Sequence, residues 1–134
     1  MPTTGNFSNF AEELIFDMLF TNATLTNRPT AWYAALMSTV GTDASAATEF
    51  DAADYARIAV VMGDGGSWTG VADNDAGLAF GTPATNWGDA TQVAIMDALT
   101  AGNEITRYTL AVPVACDAGA PVSIPAGSLD QTID

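Results

Sequence analysis

Asp73, Asn74 and Asp75, with Gly77 close behind, set acidic oxygens at alternate positions before a glycine, as at the start of a calcium loop. A complete loop needs more oxygens and a bidentate glutamate further along, where Ala84 stands. The segment therefore reads as a β-turn rather than a metal site. Asp43, Glu49, Asp51 and Asp54 form a second acidic group. Paired carboxylates can hydrolyse glycosides, but among 16 carboxylates no pair stands out by spacing. That group reads as a solvated loop face. Cys116 is the only cysteine, which excludes an intrachain disulfide and a thiolate zinc cluster. It reads as a small buried hydrophobe.

The missing residue types narrow the chemistry further. The chain has no histidine and no lysine. There is then no imidazole base, no Ser–His or Cys–His nucleophile, no Schiff base and no P-loop lysine. The expectation is a protein that is not an enzyme and uses no cofactor and no metal. Its cations are Arg28, Arg57 and Arg107, against a net charge of -13. Three arginines cannot offset the phosphates of a nucleic acid, and an anionic membrane surface repels such a chain. Arg57 and Arg107 fall within predicted strands and are expected to form structural ion pairs, with Asp54 and Asp97 as candidate partners. Trp32 lies in the most apolar strand and is assigned to the core. Trp68 and Trp87 sit in turns rich in Gly, Thr and Asn, either as lids on the core or as exposed anchors for a partner.

The elements that must position these residues fit one domain, 1–134, with an N-terminal arm and helix over 1–22 and a β domain over 28–134. The length of 134 residues, 49% of them apolar, suffices for one core. The helix starts at a Ser8 or Asn9 cap, with Glu12 and Glu13 at its positive end. Its apolar arc is wide: Phe7, Phe10, Leu14, Ile15, Phe16, Met18, Leu19 and Phe20. One small sheet cannot cover all of these, so Phe7, Phe10, Leu14, Phe16 and Phe20 are interface candidates, together with Trp68 and Trp87. Strands are predicted over 31–39, 55–62, 68–71, 77–80, 91–97, 104–112, 121–124 and 128–133, with an exposed loop over 41–54. The fold class is mainly β: a small antiparallel β-sandwich or partly open barrel with one N-terminal α-helix plugging an end or covering an edge. No apolar run approaches the ~18 residues of a membrane span. The first residues lack the basic region of a signal peptide, so synthesis in the cytoplasm without export is expected.

Several stretches carry a family resemblance. They are Thr30 to Met37; Tyr55-Ala56-Arg57; Ala76 to Phe80; Trp87-Gly88 with Ile95-Met96-Asp97; and Ala126-Gly127-Ser128-Leu129. In this order they resemble small virion structural proteins of tailed double-stranded DNA bacteriophages, labelled tail fibre or capsid cement (decoration) proteins. The resemblance implies a β-rich fold, a structural role and no cofactor. It points first to a capsid decoration protein bound outside the major capsid shell in many copies. The alternative is a tail fibre or tail-tip component contacting the host surface. Expected partners are the major capsid protein or other virion proteins, and further copies of the chain as a homo-oligomer, a trimer among the candidates. The expected location is the virion. A carbohydrate-binding module or hydrolase using the tryptophans and carboxylates is the reading from another class.

Overall fold

The computed structural model describes residues 3–42, 45–63, 66 and 69–132. In chain order the elements are β1 (Thr3–Phe7), α1 (Asn9–Phe20), β2 (Tyr33–Met37), β3 (Ile58–Ala59), β4 (Met62–Gly63), β5 (Val71–Asn74), β6 (Leu78–Gly81), β7 (Gly88–Met96), β8 (Glu104–Cys116), β9 (Val122–Ile124) and β10 (Leu129–Thr132). The mainly β class with one N-terminal helix is as expected from the sequence.

Eight strands form one sheet in the order β3-β2-β7-β8-β1-β10-β5-β4, and β6 pairs with β9 beside it. Its two edge strands, β3 and β4, belong to the single short segment 58–63. The sheet therefore curls until its edges reach one stretch of chain, yet β3 and β4 do not pair with each other. This is the partly open form: the segment expected as one strand over 55–62 breaks in the middle because it must serve both edges. Most neighbours are antiparallel; β1 and β10 run parallel.

The residues before the helix are expected from the sequence to form an arm. The structure instead puts β1 inside the sheet, paired with β8 through Gly5↔Tyr108 and with β10 through Thr3↔Leu129. Gly5 is required there, since a Cβ would lie 2.5 Å from the Tyr108 ring. The strand is short and polar (TTGNF), so it carries no apolar alternation to reveal it.

Alternation in β2 and β7 divides the interior into two layers. Ala34, Leu36, Val93 and Ile95 join Tyr108, Val122 and Leu129 in the main core. Ala35, Met37, Ala94 and Met96 face the other way and pack with Ala47 of the 41–54 loop. That loop is thus a cover as well as a solvated surface. Each large aliphatic chain fully buried in these layers stabilises the fold by ~1.5–3 kcal/mol. Trp32, assigned to the core, is 41% exposed. It precedes the first residue of β2, so the pleat that buries Leu36 does not extend to it.

Candidate functional site

Two regions gather the residues singled out by type. The first is a polar and aromatic cluster between the 41–54 loop, β2 and the 98–101 turn. Arg57 grips Glu49 with both ends of its fork, Nε to Oε1 at 2.8 Å and Nη2 to Oε2 at 2.7 Å. Its Nη1 donates to the carbonyls of Ala98 and Ala101, each at 2.7 Å. The Tyr55 hydroxyl donates to Glu49 Oε1 at 3.0 Å and accepts the Leu36 N–H at 2.8 Å. Burial pushes the Tyr55 phenol above its usual value, and the hydrogen bond to Glu49 raises the Arg57 guanidinium further.

The expected ion-pair partners are therefore corrected. Asp54 accepts instead from Ala84 N at 2.6 Å and Trp87 Nε1 at 2.9 Å, and these bonds hold its carboxyl below the usual carboxylate range. Asp97 caps a turn by accepting from Asn103 N and Asn103 Nδ2. Arg107 pairs with Glu104, Nε to Oε1 at 2.5 Å. Glu49, expected on a solvated acidic face, is the partner of Arg57 because the loop folds back over β2. Its one distinguishing signal in the sequence is that it is the sole glutamate of the 41–54 loop.

Trp87 is half-buried, 5.4 Å from Tyr55 and 6.3 Å from Phe50 between ring centroids. It is a lid held by Asp54, not an exposed anchor. The Tyr-Ala-Arg and Trp-Gly stretches thus meet in space as one staple. Every polar group of the Glu49–Tyr55–Arg57 set has a partner within the fold, so the arrangement holds a loop in place and presents no free base or nucleophile.

The acidic segment 73–77 also changes meaning. Asp73 and Asn74 finish β5, and the bend begins at Asp75. The buried Asn74 side chain donates to the carbonyls of Ala76 and Pro125 and accepts the N–H groups of Ser128 and Leu129, all within 2.9–3.0 Å. Its amide is consumed by backbone, so it is a strut between β5 and the β9–β10 turn. Nothing in the sequence marks this, since an asparagine between two aspartates reads as part of a β-turn.

The second region is α1. Ser8 caps it, with Oγ accepting from Ala11 N at 3.3 Å and donating to the Glu104 carbonyl. The Ser8 N–H donates to Ile105 O at 2.9 Å, which fixes the helix root against β8. Ala11 is buried; Phe7, Phe10, Leu14 and Ile15 are half-buried. Beyond them the helix leaves the sheet. Phe16, Met18, Leu19 and Phe20 are 57%, 60%, 62% and 73% exposed. Of the interface candidates, Phe16 and Phe20 are thus the exposed ones, and Trp68 lies outside the described residues. A groove of about 280 Å³ runs beside the helix root, lined by Phe7, Leu14, Ile15, Pro29, Trp32 and Ile105, with Arg28 also on its wall. Arg28 and Trp32 were not among the interface candidates, because their neighbourhood depends on how the 21–32 segment returns past the helix.

A polar recess of about 660 Å³ lies between Gly41, Gln92, Arg107 and Gln131. Its amides are engaged internally: Gln92 bonds Gly41 N and Thr109 Oγ1, and Gln131 Oε1 accepts from Thr106 and Tyr108.

Residues 6–132 match the family described as podophage GP4 fiber I protein gp80. No curated protein matches the chain.

Proposed function

We propose a place in the particle for this chain, which belongs to the podophage GP4 fiber I protein family and is a phage virion structural protein: it is a tail fibre component. The family match over residues 6–132 carries this reading, and it favours the fibre alternative over capsid decoration, to which it lends no support. The work is mechanical rather than catalytic. Support for that comes from the absence of histidine and lysine and from a Glu49–Tyr55–Arg57 cluster bonded to itself and to backbone. Other virion proteins are its partners, reached through apolar surface, since two of three arginines are engaged in internal ion pairs.

The experiment is to label purified particles with antibody against the folded chain and to count copies per particle. Label confined to the tail, with roughly a few to a few dozen copies set by the symmetry of a tail, is expected. Label over the whole shell at on the order of hundreds of copies would replace the fibre reading with decoration.

A further inference from the structure

We propose that the exposed C-terminal end of α1 docks on a different virion protein, one that offers an apolar recess with a lysine or arginine at its edge. This rests on the reading of the chain as a virion structural protein. Two features of the same helix end carry it. The first is apolar surface that the fold leaves uncovered. Ala11, Leu14 and Ile15 share the side of α1 that packs toward Trp32 and Ile105. By the helical repeat, Phe16 and Phe20 fall on the opposite side, with Glu12 and Glu13. Phe16, Leu19 and Phe20 are more than half exposed, and the Phe16 and Phe20 rings lie 5.3 Å apart as one knob. A helix rooted by its other face cannot turn this one to its own sheet.

The second feature is electrostatic. The C-terminal end of a helix is its negative pole, where a cation is stabilising and a carboxylate is not. The last turn of α1 has no basic residue, and Asp17 stands in it, half-buried. Its carboxylate accepts from the Thr21 hydroxyl, and no cation pairs with it among the described residues. The carbonyls of Met18, Leu19 and Phe20 receive no described N–H group. A cation from a partner would relieve this end of the helix. Charge also decides against a second copy as that partner. Its knob would bring another negative pole and three more carboxylates. Its Arg57 and Arg107 are held in internal ion pairs, and its Arg28 stands on the groove, on the side of α1 away from the knob. A helix end laid into the recess of another protein, with Phe16, Leu19 and Phe20 as anchors, is the remaining arrangement. The ion pair closes inside an apolar contact, so salt screens it little and attachment persists as salt rises.

Particles assembled with variant chains test this, read as copies per particle by gel densitometry beside melting curves of the purified chains. Leu19→Ser with Phe20→Ser should be lost from the particle while melting as the wild type does, because neither side chain packs in the core. Asp17→Lys should move the two readouts in opposite directions. A cation at the negative pole raises the melting temperature, and the same cation repels the partner's and removes the chain from the particle. A photoreactive p-benzoylphenylalanine in place of Phe20 should cross-link, within the particle, to a different virion protein at an apolar peptide containing lysine or arginine. Full incorporation of either variant would overturn the proposal. So would an adduct with a second copy of the chain, an adduct at a peptide without a cation, or no adduct. Antibody label over the shell would sink the fibre reading and leave each of these outcomes unchanged, so the two fail separately.

Discussion

At the scale of single residues, the charges that matter are those withdrawn from solvent. The Arg57 side chain is 7% exposed and that of Glu49 is 26%. Removing one partner leaves the other charge partly buried and unpaired, the costly case. Arg57→Ala is expected to lower the unfolding free energy by about 3 kcal/mol, at the lower end for a buried pair because Glu49 keeps some water. Arg57→Ala with Glu49→Ala together should cost less than the sum of the two, as a denaturant double-mutant cycle would show. The pH profile has two limbs with assignable owners. Asp54 has a lowered carboxyl in the fold, so its contribution is present above the ordinary value of 3.8 and is lost as pH falls through the folded value. Asp54→Asn should therefore flatten the acid limb of a melting-temperature titration. Burial raises the Tyr55 and Tyr108 phenols above 10.0, so their contribution is complete below pH 10.0 and is lost as pH rises beyond it. Tyr55→Phe should flatten part of the alkaline limb, and the remainder is shared by Tyr108 and by Cys116, whose thiol is also pushed up by burial.

At the scale of elements, the N-terminal segment has two separable roles. Removing residues 1–20 deletes β1 from between β8 and β10 along with the helix, and is expected to abolish folding rather than association alone. A chain shortened to begin after Phe7 should show no cooperative thermal transition by circular dichroism, whereas the Leu19→Ser, Phe20→Ser variant should melt as the wild type does. The strut at the end of β5 is the other element-scale prediction. Asn74→Ala leaves two carbonyls and two N–H groups without their partner and should cost about 3 kcal/mol, reduced from the full sum because water reaches some of them. Asn74→Asp should be at least as damaging, since it turns a donor into an acceptor facing the carbonyls of Ala76 and Pro125.

At the scale of the whole molecule, net charge opposes assembly and apolar burial drives it. Copies at -13 each repel, and salt screens that repulsion beyond about 8–10 Å at moderate ionic strength. Association and attachment to the particle are therefore expected to persist or tighten as salt rises, most with sulfate, which also strengthens apolar burial. Counting copies on particles by gel densitometry across a salt series checks this. Progressive loss with salt would mean that the carboxylates dock on a basic partner surface. Chelation should leave the melting temperature unchanged; a fall reversed by calcium would mark a bound ion that stabilises the native state.

The sequence alone determined the mainly β class, the leading helix with its cap at Ser8 or Asn9, of which the structure takes Ser8, the double burial of β2 and the excess of apolar surface on the helix. Each of these follows from local periodicity or from composition, which any short window displays. The position of β1 was decided only in three dimensions, because a five-residue polar strand is held by ladder hydrogen bonds from β8 and β10, far along the chain. The same holds for Glu49, Asn74, Trp32 and Arg28. An acidic residue becomes a buried partner, or an asparagine a strut, only when a distant segment supplies the complementary group, and the curling of the sheet toward 58–63 brings such segments near each other.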